Sequence, residues 1–135
     1  MKPSLAPGIT VTREFAIDRE RTIDFMGEDA RVYATPMLVR DIEVTCRELL
    51  LEHLEPGEDS VGTRVEIDHL AATLLGMKVA ITATLAELKG RAAIFDVTAS
   101  DGLDTICRGR HARFIANVAQ VKERLKQKQA KAGAA

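Results

Sequence analysis

A chain of 135 residues suits one domain and can bury a core without disulfides or a structural metal. Its 19 lysines and arginines nearly balance its 20 aspartates and glutamates, for a formal charge of −1, so nothing in the balance calls for nucleic acid or an anionic membrane. No apolar stretch approaches the ~20 residues of a membrane span, the opening MKPSLAPGIT lacks the apolar core of a signal peptide, and a cytoplasmic location is expected.

In chain order, ITVTREFAID (9–18) reads as a strand on its β-branched content. TIDFM (22–26) is a short apolar piece without a clear period, and GEDARVYATP is a loop that becomes extended near Val32 and Tyr33. The one long helical signal starts at Thr35. That residue is placed as the N-cap with Pro36 at the first helical position, and Leu38, Ile42, Thr45, Cys46, Leu49 and Leu50 recur at helical spacing. Pro56 and Gly57 stop it.

The period then changes to two. Val61, Thr63, Val65, Ile67 and His69 are assigned to one strand face, with Gly62, Arg64, Glu66 and Asp68 on the other. MKVAITATLAEL alternates with Val79, Ile81, Ala83 and Leu85 together, Gly90-Arg91 is a tight connection, and AAIFDVTAS sets Phe95 and Val97 on one face. Asp101-Gly102 is a hairpin signal, and TICRGRHARFIANV is a last long strand. From about residue 119 the chain reads as a short helix fraying into a basic tail.

A strand, one long helix and four consecutive strands joined by hairpins predict an α+β domain spanning 1–135, its curled antiparallel sheet wrapped around the helix in a hot-dog arrangement. Such a unit leaves a sheet edge exposed, so pairing into a homodimer is expected.

Few residues offer chemistry. The two cysteines, Cys46 and Cys107, lack metal-ligand spacing and read as small buried thiols; no metal is expected. Glu43 shares a largely apolar helix face with Val39, Cys46 and Leu50. It is either the flank of that stripe with its head in water, or a carboxylate held in an apolar pocket as a base. The Thr35 hydroxyl lies beside the free amides of a helix start, which favour negative charge. His69 is either a structural residue where a strand surfaces or an inward-facing base. His53 lies near the helix end, and His111, among arginines, reads as a surface or sheet-edge residue.

Three stretches, VYATPMLVRDIEVTC, LEPGEDSVGTRVEIDHLAATLLGMKVAITATL and DGLDTICRGRHAR, together resemble the fluoroacetyl-CoA thioesterase type of hot-dog thioesterase. The resemblance runs from Val32 to Arg113. It implies hydrolysis of a short acyl-CoA without a cofactor, through a catalytic set falling on Thr35, Glu43 and His69, with Gly62 and Arg113 close to the substrate. Glu43 would attack the carbonyl or activate water, and His69 would act as base or acid. Two departures limit the carry-over. Pro36 stands where the family's selective enzyme has glycine, removing one N–H while Met37 and Leu38 keep theirs, and GEDARVYA has Asp29 and no phenylalanine gate. A preference for a fluorinated acyl group is therefore not expected.

Two other readings compete. Hydration of an enoyl thioester on this fold carries an Asp-x-Asn-Pro-x-His run, which is absent here. A non-catalytic acyl-thioester-binding or dimeric interaction module has the same fold, because function belongs to the site.

Overall fold

The computed structural model describes residues 1–133. Strand β1 (Thr10–Ala16) is followed by two short strands, β2 (Thr22–Ile23) and β3 (Val32–Tyr33), which pair with each other. Helix α1 (Thr35–Leu51) comes next. Strands β4 (Glu58–His69), β5 (Lys78–Lys89), β6 (Ala92–Ser100) and β7 (Thr105–Asn117) complete the sheet, and α2 (Val118–Gly133) ends the described chain.

The five long strands form one antiparallel sheet in the order β1-β5-β6-β7-β4, with α1 packed on its inner face. The hot-dog arrangement holds, with one difference in connectivity. Hairpins join β5 to β6 and β6 to β7, but β4 pairs with β7 and so lies at the opposite side of the sheet from β5. The segment 70–77 therefore crosses rather than turns back. Hairpin periodicity is local and carries no information about which edge receives the first strand. Among the described residues the outer edge of β4 pairs with no strand.

The core forms where the two periodicities meet. Leu38, Ile42, Cys46, Leu49 and Leu50 on α1 pack against Val79, Ile81, Ala83 and Leu85 of β5, Phe95 and Val97 of β6, and Ile106 and Ile115 of β7. Each fully buried side chain of this size contributes roughly 1.5–3 kcal/mol relative to an exposed one. Both cysteines are buried, and burial pushes the Cys46 thiol up to about 12 and that of Cys107 up to about 11.

Three further expectations are corrected. The period of β4 is broken by a bulge: Gly62 pairs with Arg113 and Arg64 with Ala112, leaving Thr63 as an extra residue. Gly62 thereby joins the inner face, and Val61 is half exposed on the outside. His111 lies on the interior strand β7 and is fully buried, because alternation along β7 puts it inward with Cys107, Arg113 and Ile115. Helix α2 continues through Gly133 rather than fraying, although none of its residues is buried, and the end of the expected tail, residues 134–135, lies outside the described residues.

Candidate active site

The first cluster sits where α1 begins and β4 ends. Thr35 Oγ1 lies 2.8 Å from His69 Nδ1. This corrects the expected cap. The N-cap position is Ala34, which has no side chain to cap with, so Thr35 is already inside the helix and its hydroxyl is free to meet the histidine. The amides of Met37 and Leu38 both donate to the Ala34 carbonyl, so neither is open to an incoming oxygen. Pro36 has no N–H, and the Thr35 amide is left as the one at the helix start without an acceptor among the described residues.

His69 Nε2 is buried and makes no hydrogen bond among the described residues, and burial pulls the imidazole below its ordinary pKa. The Tyr33 ring meets the imidazole edge-on at 6.3 Å between centroids. Tyr33 is held in turn. Its hydroxyl donates to Asp41 Oδ2, and the same buried carboxylate accepts two hydrogen bonds from Arg21, at 2.9 and 3.2 Å. A cleft of about 520 Å³ opens over Thr35 and His69, walled by Ile23, Phe25, Val32, Leu70, Ala71 and Ala72. Phe25, 85% exposed at this cleft, and Asp41 beneath it escaped the sequence reading. TIDFM gave Phe25 no period to stand out from. A charged residue beside Ile42, on the buried stripe, was the available signal for Asp41.

The second cluster surrounds Glu43, two turns further along α1. An added Cβ at Gly62 would lie 2.7 Å from Glu43 Oε1 and 3.3 Å from His111 Cε1, so the carboxylate packs directly on bare backbone. Glu43 Oε2 is 4.0 Å from Arg113 Nη1; the carboxylate is 45% exposed and the arginine 4%. Glu43 is thus neither fully in water nor in an apolar pocket: it faces a buried cation. Ser60 accepts from Arg113 Nε at its hydroxyl, 2.7 Å, and from Nη2 at its carbonyl, 2.9 Å, while His111 Nε2 takes Nη1 at 3.1 Å. Burial pulls the Arg113 guanidinium below its ordinary pKa, an effect that Glu43 opposes. Ser60 also escaped the sequence reading; it stands two residues before Gly62 on the same face of β4, as His111 stands two residues before Arg113 on β7.

Within one chain the clusters stay apart. Eight helical residues separate Thr35 from Glu43, about 12 Å of rise, and the span of β4 from Gly62 to His69 is roughly 20 Å. Thr35 and His69 meet, as do Glu43, Gly62 and Arg113; the two groups do not. Among the described residues no cluster of three or more His, Cys, Asp or Glu side chains is arranged to hold a metal, and no helix is long and apolar enough to cross a membrane.

A curled antiparallel sheet around one helix, with polar groups at the helix start and on the adjoining strand, defines a hot-dog protein of the thioesterase superfamily. A Thermus thermophilus hypothetical protein described as a thioesterase superfamily member superposes with a TM-score of 0.90 at 30% identity, over 98% of this chain and 99% of that one. Residues 17–119 match the family model of the fluoroacetyl-CoA-specific thioesterase FlK, and the chain belongs to that family. The fluoroacetyl-CoA thioesterase of Streptantibioticus cattleyicolor is 32% identical, over 95% of this chain and 97% of the relative. A crystal structure of a single-substitution variant of FlK superposes with a TM-score of 0.86 at 31% identity, covering 94% and 99% of the two chains.

Proposed function

We propose that this protein hydrolyses short acyl-CoA thioesters, using Thr35, Glu43 and His69 as the catalytic set and Gly62 and Arg113 as groups facing the substrate. The observation that carries the reading is the Thr35–His69 pair at the floor of an apolar cleft. The walls that this chain contributes beside that pair are apolar, which suits a short acyl group. Fluoroacetyl-CoA is the substrate named for the relatives; Pro36 in the cleft wall and Asp29 outside it argue for a broader acyl range here.

We further infer that the working unit is a homodimer formed through the free edge of β4. Antiparallel pairing of β4 with its copy about Glu66 brings Val65 opposite the partner subunit's Ile67 and Arg64 opposite the partner subunit's Asp68. Across the bulge, Gly62 then falls opposite the partner subunit's His69, and Val61 opposite the partner subunit's Leu70. Apolar residues meet apolar ones, opposite charges meet, and each pair shares a face of the sheet. The Glu66 carboxylates meet at the axis, each already paired with its own Arg64 at 2.6 Å. The bulge makes the faces agree. In this arrangement Glu43 of one subunit joins the Thr35–His69 pair of the other around a single thioester.

In that composite site Glu43 takes a proton from water as the water oxygen attacks the thioester carbonyl carbon, or attacks that carbon itself. The carbonyl oxygen gains charge and is received by the Thr35 amide at the helix start. The C–S bond then breaks and coenzyme A leaves as thiolate and is protonated; the acid departs at once when water attacked, and only after a water molecule has hydrolysed the mixed anhydride when Glu43 attacked. His69 Nε2 is the free ring position that exchanges the proton. After a single turnover in ¹⁸O-water, label in the Glu43 carboxylate identifies the covalent route, and a trapped acyl-enzyme detected by mass spectrometry identifies it when water opens the anhydride at the acyl carbon instead.

Thiol release is to be measured across a panel of acyl-CoAs. Turnover of short acyl groups, lost by on the order of 10² or more in Glu43→Gln and His69→Ala, is expected. No turnover of any acyl-CoA leaves a binding module instead. Mixing the two inactive variants with subunit exchange restores about a quarter of wild-type activity if each site draws on both subunits, since half the dimers regain one of two sites. No recovery rules out the shared site.

A further inference from the structure

His111 takes no part in the mechanism above, yet it is fully buried at the back of the Glu43 cluster and both its ring nitrogens are occupied. Nε2 lies 3.1 Å from Arg113 Nη1, and Nδ1 lies 2.8 Å from the Arg64 carbonyl oxygen. A guanidinium only donates and a carbonyl only accepts. Nε2 must therefore be bare and Nδ1 must carry the proton, which makes the ring the neutral Nδ1–H tautomer. An imidazolium would set a second cation against Arg113 in a buried site, at a cost burial makes large.

The hydrogen-bond count of Arg113 shows what this does. Nε donates to the Ser60 hydroxyl, one Nη2 proton to the Ser60 carbonyl and one Nη1 proton to His111; one proton is left on each Nη, and Nη1 is the nitrogen that lies 4.0 Å from Glu43 Oε2. Rotating the guanidinium off the carboxylate would break all three bonds in a buried position. The chain of contacts begins at the Arg64 carbonyl, next to the bulged Thr63, and ends at the reacting carboxylate.

We propose that His111 is a positioning residue. Held as the Nδ1–H tautomer between the Arg64 carbonyl and Arg113, it fixes the arginine beside Glu43 and so helps place that carboxylate. The inference rests on the assignment of Glu43 above. The other titratable or charged groups around this unit are Cys46 and Arg47 on α1 and Asp59 on β4.

The test compares His111→Leu, which leaves Arg113 Nη1 and the Arg64 carbonyl without partners, with His111→Gln, which can supply one acceptor and one donor. The leucine variant is expected to lose about ten-fold or more in kcat with KM within about two-fold. The glutamine variant should recover much of the lost kcat. A leucine variant in which kcat holds, or a glutamine variant that loses as much kcat as the leucine variant, would make His111 a packing residue only.

If the leucine variant does not fold, the tautomer is read in the wild-type protein by ¹⁵N NMR of the ring: a protonated Nδ1 with a bare Nε2 at neutral pH supports the device, and an Nε2–H tautomer or an imidazolium overturns it. The assignment of Glu43 is judged separately. Full activity in Glu43→Gln removes that assignment, whatever the ring tautomer.

Discussion

Thr35 and His69 stand 34 residues apart in sequence and 2.8 Å apart in space. The helix makes that contact possible by starting one residue early: Ala34 occupies the cap position, and the threonine hydroxyl is released from the backbone role its position suggests. Either the hydroxyl donates to Nδ1 or Nδ1–H donates to it; in both cases Nε2 is the ring nitrogen left without a partner among the described residues. Thr35→Val keeps the β-branched shape and removes the hydrogen bond. Its kcat/KM should fall by about 10- to 100-fold, while Thr35→Ser stays within about three-fold, as steady-state thiol release will show. Equal activity in the valine variant would mean the hydroxyl orients nothing.

Gly62 is a second place where a small residue serves the site. Its backbone is not in the left-handed region, so alanine brings no conformational strain. The added methyl carbon would meet Glu43 Oε1 at 2.7 Å, and the far end of a flexible side chain is what must move. Gly62→Ala is therefore expected to lower kcat by about ten-fold or more while changing stability by less than about 1 kcal/mol. A thermal melt beside the kinetics separates the two. A large drop in melting temperature would make Gly62 a structural glycine.

Asp41 links stability to the cleft. It is 1% exposed and accepts from both Arg21 and the Tyr33 hydroxyl, tying the segment after β1 to α1. Asp41→Ala leaves a buried phenol without its acceptor and the Arg21 guanidinium with Asp18 alone, and should cost about 2–4 kcal/mol in urea unfolding. Tyr33→Phe removes one hydroxyl and should cost about 1 kcal/mol. It also loosens nothing of the ring-edge contact with His69, so its kcat should hold. A kcat loss in Tyr33→Phe comparable to that of Thr35→Val would show that the hydroxyl, not the ring, governs His69.

What the residues revealed in advance depended on how local the signal was. The inward faces of β5 and β6 follow from a strict period of two, and Val79, Ile81, Leu85, Phe95 and Val97 are all buried as that period requires. The helix followed from Leu38, Ile42 and Leu49 in the same way. Alternation failed at Thr63, because a bulge is a pairing event between β4 and β7 and has no mark within β4 alone. That one extra residue moved Gly62 to the face it had been denied. His111 was misread for a related reason: its neighbours Arg110 and Arg113 suggested a surface, but Arg113 itself is buried by Ser60 and His111. Thr35, Glu43 and His69 were picked out by residue type and resemblance, whereas their division into two groups follows from the length of α1 and β4.

Acid should loosen this fold before its carboxylates titrate. Burial holds both His69 and His111 below the ordinary value of 6.5, the value at which they titrate once the chain unfolds. For His111 the Arg113 charge adds to burial, while the Arg64 carbonyl and Glu43 oppose it. Between the folded and unfolded values the unfolded chain binds more protons, so stability rises with pH across that window. It is fully present above about pH 6.5 and drains away as the pH falls through the folded-state values. The urea midpoint should therefore fall between about pH 7 and about pH 5, a range in which most surface carboxylates are still ionised. His111→Gln removes one of the two groups, so its midpoint should decline less over the same interval. A midpoint that is flat or rises on acidification, or a decline as steep in His111→Gln as in wild type, would show that His111 does not carry the effect.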